Sequence, residues 1–275
     1  MIDIGLGLGA SLAWGSSDFA AAVASRRGAP SRIALLSQVV ALPPLLAAAV
    51  LTGARFPAPL VWLSAAAGLL DAIGITAFYS ALAVGSISVV APMAALGALV
   101  PLVTDAVSGQ RPGSLSLAAA VVAVAGAALA ARERGGFSTR GLARAALASL
   151  AFGGFFFLLA AAARSGGDLP AAAVAKASAL GAILLAVGLS RRRTGLARSP
   201  FVPVLAAGLL DGLGSVAYAT GAGAFHAGLV AAAASTCPAT TVVLATLVLR
   251  ERPGRAQLAG IVTGLAAAVV LAATT

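Results

Sequence analysis

The chain has 275 residues, 60% of them hydrophobic and only 9% charged, with a mean hydropathy of +1.03, against about 25% charged in an ordinary soluble domain. A water-soluble fold is excluded, because too few polar side chains are present to cover a surface. The net charge of +10 does not point to nucleic acid: the arginines stand in short clusters between long uncharged stretches, as topology signals do, not along one solvated face. A single cysteine, Cys237, excludes a disulfide framework within the chain, and with His226 the single histidine there is no Cys/His set for a structural zinc.

A helix needs about 20 predominantly apolar residues to cross the hydrocarbon core. Division at charged, Gly and Pro punctuation predicts ten such runs: 4–24, 33–52, 58–80, 86–108, 114–131, 142–163, 170–189, 201–220, 227–249 and 256–273. The first is not a signal peptide, since no basic residue precedes it and it has an internal counterpart. Ala10-Ser11-Leu12-Ala13-Trp14-Gly15 matches Ala148-Ser149-Leu150-Ala151-Phe152-Gly153 in the sixth run. Ala66-Ala67-Gly68-Leu69-Leu70-Asp71 in the third run recurs letter for letter as Ala206-Ala207-Gly208-Leu209-Leu210-Asp211 in the eighth, with Gly74 and Gly214 extending the match. Arg111-Pro112-Gly113 and Arg252-Pro253-Gly254 precede the fifth and tenth runs. The expected fold class is therefore an all-α integral membrane protein of ten transmembrane helices, built as two five-helix repeats, 1–134 and 141–275. Because five is odd, the second repeat enters the membrane inverted, the architecture of many secondary transporters, with a site near the midplane between the halves. Abundant alanine and 32 glycines fit tight helix packing.

Three segments carry a family resemblance: Trp14-Gly15-Ser16-Ser17-Asp18-Phe19; Phe78-Tyr79-Ser80-Ala81-Leu82 followed by Ser88-Val89-Val90-Ala91-Pro92; and Arg250-Glu251-Arg252. They resemble the EamA branch of the drug/metabolite transporter superfamily, over essentially the whole chain. The resemblance implies a ten-helix carrier for amino acids or other small metabolites, often an exporter, with a cavity among helices one, three, four, six, eight and nine. The chain departs from the family pattern at Gln110, where a glutamate matching Glu251 is usual, and at Gly97, where a proline matching Pro238 is common.

Ionisable groups within transmembrane helices are functional candidates by default, and five qualify: Asp18, Asp71, Asp105, Lys176 and Asp211. The inverted repeat places Asp71 and Asp211 symmetrically about the cavity, either as interhelical hydrogen-bonding groups or as coupling and substrate sites. Helical spacing gives Asp211 a face shared with Ser215 and Tyr218, and Asp71 one shared with Gly74 and Phe78, so Asp211 is expected on the substrate or proton side and Asp71 in a more structural role. Asp18 lies one turn beyond Trp14, a carboxylate and an aromatic ring suited to an amine or other cation, whereas the matching position in the second repeat is Phe156 within Phe155-Phe156-Phe157. The plainer expectation is that Asp18 meets water near its helix end. Lys176, seven residues into its run, is expected to snorkel to the interface or to meet a substrate carboxylate, Asp105 to snorkel likewise, and His226 to be interfacial. Pro92, Pro101 and Pro238 free backbone carbonyls inside runs, and the hydroxyls of Ser235, Thr236, Thr240 and Thr241 can resatisfy them or touch a polar substrate.

These features point to a secondary carrier for a small polar or amphiphilic metabolite, amino acid or amine-like, exported by alternating access with proton coupling or exchange. The expected partners are the plasma (inner) membrane bilayer, the substrate and protons; a homodimer is compatible, and nucleic acid, cofactors and metals are not expected. An intramembrane aspartyl protease would need Gly-x-Gly-Asp, but Gly68-Leu69-Leu70-Asp71 lacks the second glycine. A passive channel or scaffold leaves the membrane carboxylates unexplained. By the positive-inside rule, Arg26, Arg27, Arg32, Arg132, Arg134, Arg140, Arg144, Arg191, Arg192, Arg193, Arg198, Arg250, Arg252 and Arg255 place the odd loops in the cytoplasm, opposite Arg55, Arg111 and Arg164 and both termini. The family resemblance implies the reverse, cytoplasmic termini.

Overall fold

The computed structural model describes residues 2–85, 87–107, 113–130, 139–189, 200–224, 227–250 and 254–274. Among them every regular element is helical: α1 (Ile2–Ser25), α2 (Pro30–Leu51), α3 (Ala58–Leu82), α4 (Ile87–Ala95), α5 (Leu99–Val107), α6 (Ser114–Ala130), α7 (Thr139–Gly166), α8 (Asp168–Leu189), α9 (Phe201–Ala224), α10 (Ala227–Ala234), α11 (Cys237–Leu249) and α12 (Arg255–Thr274). Six stretches among the described residues are long and apolar enough to cross a membrane: 30–51, 58–82, 141–166, 168–189, 201–224 and 227–249. Helices are forced on such a chain, because hydrocarbon offers the backbone no partner and each helix satisfies its own N–H and C=O groups.

Two predicted runs are broken. The fourth divides into α4 and α5 at a single 3₁₀ turn, Leu96–Ala98, and the ninth into α10 and α11 at Ser235 and Thr236. The second break has a local cause, since Pro238 in the first turn of α11 has no N–H to return to the preceding turn. Ser235 Oγ donates to the carbonyl of Ala232 at 2.6 Å and Thr236 Oγ1 to that of Ala233 at 2.7 Å. These two hydroxyls bond the carbonyls of Ala232 and Ala233 and not that of Ala234, the one four residues before Pro238, while Ser235 also reaches the cavity described below.

The repeats pack pseudo-symmetrically. Along α3 and α7, Gly74 meets Phe152, Leu70 meets Gly154 and Leu60 meets Gly166, so the two helices run antiparallel. Arg144, near the start of α7, donates to the carbonyl of Ser80 near the end of α3, in the same register. The equivalent pair α9 and α1 repeats the arrangement: Trp14 lies on Gly214, and Ser17 Oγ donates to the carbonyl of Ala207 at 2.8 Å. Glycine is required at both crossings, because a Cβ on Gly74 would lie 2.6 Å from the Phe152 ring and one on Gly214 2.7 Å from the Trp14 ring.

Burial is inverted relative to a soluble protein. In α9, Gly208, Asp211, Gly212, Gly214 and Ser215 face inward, whereas Leu209 and Leu213 are exposed, as expected where lipid solvates leucine and small residues let backbones approach. Alanine dominates two buried clusters. One includes Ala10, Leu60, Ala67, Leu159 and Tyr218, and the other Ala21, Ile33, Ala72, Phe78, Tyr79 and Ala145. Along α3 the change from one cluster to the other falls between Ala67 and Ala72, where Asp71 sits.

Candidate functional site: a carboxylate cavity between the repeats

At that seam lies a cavity lined from α1 by Trp14, Ser17 and Asp18, from α3 by Asp71, Ile75, Phe78 and Tyr79, and from α9 by Asp211. The other walls are Ala91, Ala94 and Ala95 of α4, Phe152, Phe155 and Phe156 of α7, and Ala234, Ser235 and Cys237 at the break between α10 and α11. These elements are the first, third, fourth, sixth, eighth and ninth predicted runs.

Lys176 of α8 bonds two of the lining carboxylates without itself lining the cavity. It is fully buried, and its Nζ donates to Asp71 Oδ2 at 2.8 Å and to Asp211 Oδ2 at 2.7 Å. The expectation that Lys176 snorkels is therefore corrected. Two carboxylates from different repeats hold its ammonium in the interior, and leaving would strand both of them. Phe155 adds its ring face, with the ammonium 5.6 Å from the centroid. Gln38 of α2, also fully buried, completes the network by donating Nε2 to Asp211 Oδ2 at 3.0 Å.

Asp18 differs from the other two carboxylates. It is half-buried in the cavity wall, yet no hydrogen bond or ion pair reaches it among the described residues. Beside it stands an aromatic wall. Trp14 lies 5.3 Å from Phe156 and 5.7 Å from Tyr218 between ring centroids, with Phe155 edge-on at 6.4 Å. Three carboxylates thus share the site with one ammonium, and the carboxylate without a cation adjoins the aromatic face.

The remaining candidates divide. Phe78 lines the cavity, edge-on to Phe152 at 5.9 Å. Ser215 and Tyr218 are buried on the same side of α9 as Asp211, but their hydroxyls do not bond its carboxylate: Ser215 Oγ donates to the backbone carbonyl of Asp211 at 2.9 Å, and Tyr218 OH to the carbonyl of Phe156 at 3.0 Å. Helical spacing placed them correctly, but a serine one turn on can bond its own helix, and the tyrosine is long enough to reach α7. Asp105 does not snorkel either; it is buried and accepts the N–H of Gly228 at 2.6 Å, in the first turn of α10. His226, Gln110 and Glu251 lie outside the described residues. Sequence reasoning missed Gln38, Tyr79 and the cavity position of Cys237. Gln38 had one available signal, since the spacing of 138 that separates Trp14 from Phe152 also separates Gln38 from Lys176.

The family model described as the EamA-like transporter family matches the chain twice, over residues 1–132 and 139–273. The protein belongs to the EamA-like transporter family. It is accordingly a membrane protein of two-repeat architecture and of a transporter family, as the three sequence segments had indicated. A crystal structure 20% identical in sequence superposes with a TM-score of 0.74, covering 98% of this chain and 95% of that one, which is a likeness of fold. No curated protein matches the chain.

Proposed function

We propose that this EamA-family protein is a secondary carrier that exports a small amine-bearing metabolite, an amino acid or amine-like compound, across the plasma (inner) membrane. In this reading the ten runs all span the bilayer, and the inverted repeats alternate access to the cavity, driven by protons or by exchange. The observation that carries the substrate class is Asp18: a carboxylate with no cation of its own among the described residues, in one cavity lining with Trp14, while the Lys176 ammonium is held by the two other lining carboxylates. A substrate cation supplies the missing charge and the aromatic face adds to its binding. The Lys176 ammonium between Asp71 and Asp211 speaks against a protease dyad, in which two carboxylates meet directly and share a proton.

Counterflow of a panel of amines and amino acids in proteoliposomes tests this. Asp18→Asn is expected to abolish uptake of amine-bearing compounds while the purified protein stays folded. Uptake unchanged across the panel would remove cation binding at Asp18, and cleavage of transmembrane peptides without flux would replace the carrier by an enzyme. For orientation, the arginine count supports cytoplasmic odd loops, and a reporter active only in the periplasm, fused after Thr275, is expected to be active.

A further inference from the structure

Gly68 and Gly208 occupy the same place in the matched stretches that end in Asp71 and Asp211. A Cβ on Gly68 would strike the carbonyl of Ala175 and the side chain of Ser178 in α8; one on Gly208 would strike the carbonyl of Ser37 and the side chain of Val40 in α2. Ala175 and Ser37 are therefore equivalent, and so are the residues that follow them, Lys176 and Gln38. Both are fully buried, and each bonds one or both of the paired aspartates. Their contacts are unequal. Lys176 reaches Asp71 and Asp211, whereas Gln38 reaches Asp211 alone and its Oε1 has no partner.

Unequal contacts between equivalent groups are what inverted repeats in two different conformations produce, and exchanging those conformations generates the opposite-facing state. Under that exchange each residue takes its mate's surroundings. The Lys176–Asp71 contact becomes Gln38–Asp211 and the reverse, so both of these persist. Lys176–Asp211 becomes Gln38–Asp71.

We infer that Gln38 and Lys176 are an exchanging pair: when the cavity changes side, Lys176 releases Asp211 and the Gln38 amide bridges Asp211 to Asp71. The amide already has the donor it needs, because only one of its two N–H groups bonds Asp211 here. Asp211, a cavity-lining residue, then keeps an amide in place of an ammonium. The state described here leaves Asp18 as the one carboxylate of the three without a cation, and the opposite state leaves Asp18 and Asp211. A cation thus binds the opposite state more tightly, and such a difference lets a ligand shift the equilibrium. The exchange rests on the alternating access of the carrier reading, and this last step rests also on its amine-bearing substrate.

Cys237, the single cysteine of the chain, lines the cavity and serves as the reporter. Its alkylation by a membrane-impermeant maleimide is followed from each face, in right-side-out and inside-out membrane vesicles. Gln38→Leu removes the bridging amide, so the opposite state loses a contact that the present state does not make. Labelling from one face is expected to stay at the wild-type rate and from the other to fall by about tenfold. Gln38→Lys combined with Lys176→Gln is expected to restore the folded yield that Lys176→Gln loses, and to invert the ratio of labelling between the faces. A wild-type ratio in Gln38→Leu, or no restoration in the double variant, overturns the exchange. Absence of amine counterflow in the wild-type protein would instead overturn the amine substrate and leave the labelling result standing.

Discussion

Trp14 on Gly214 and Phe152 on Gly74 are one contact made twice, yet one turn further along the two helices diverge: α1 presents Asp18 and α7 presents Phe156. The same division separates α2, with Gln38, from α8, with Lys176. In both cases the small residues that let backbones cross are kept in the two repeats, as are Asp71 and Asp211, whereas Asp18 and Lys176 have uncharged mates. Inverted repeats need a common backbone in order to exchange conformations. A directional site needs unlike side chains on it. The comparison therefore predicts that variants of the shared framework act equally in the two repeats, and that variants of the charged groups do not.

The largest effect is expected at Lys176. Lys176→Met leaves Asp71 and Asp211 buried without a cation and should cost about 3–5 kcal/mol, whereas Gln38→Leu at the equivalent place loses one hydrogen bond, about 1 kcal/mol. Thermal unfolding of the detergent-purified variants measures both. Equal losses would mean that the ammonium is not what holds the two aspartates together. Next come Gly74→Ala and Gly214→Ala, each of which forces a methyl group against a ring and should cost about 1–3 kcal/mol. The same melts should give similar values for the two, and a cost at only one would show that the shared backbone does not mean shared packing.

Much of this was legible in the sequence, for reasons that also mark where legibility ends. Uninterrupted apolar length fixes helices, a letter-for-letter match located Asp71 and Asp211, and a match with Phe in place of Trp located the pair Trp14 and Phe152. Lys176 was misread because its depth within a helix says little without its partners, which lie 105 and 35 residues away. Asp105 failed in the same way, its partner Gly228 being 123 residues distant. Gln38 went unseen because α2 and α8 share no run of letters; what they share is a backbone position against a glycine. Ser215 shows the opposite error, since helical spacing assigns a face to a side chain but not a partner, and its hydroxyl bonds its own helix.

Two smaller effects sharpen the contrast between interior and periphery. Thr241 Oγ1 donates to the carbonyl of Gly15 at 2.9 Å and so ties α11 to α1. Thr241→Val should cost about 0.6 kcal/mol, the usual worth of an interhelical hydrogen bond within a membrane, read from the melting temperature. Leu213 is 60% exposed on α9, and if lipid covers it Leu213→Ala should change stability by less than about 0.5 kcal/mol. A large loss there would mean that protein, not lipid, covers that face.

The turn at Ser235 and Thr236 has a consequence for motion. An interrupted helix in hydrocarbon leaves carbonyls without N–H partners, and a bend that uncovered them would be opposed by the whole cost of taking a bare dipole into oil. Here the carbonyl of Ala232 is bonded by the Ser235 hydroxyl, and that of Ala233 by both the hydroxyl and the N–H of Thr236, all on the same segment. Those donors travel with the turn as it flexes, so the joint between α10 and α11 can change its angle beside the cavity without exposing any of these groups.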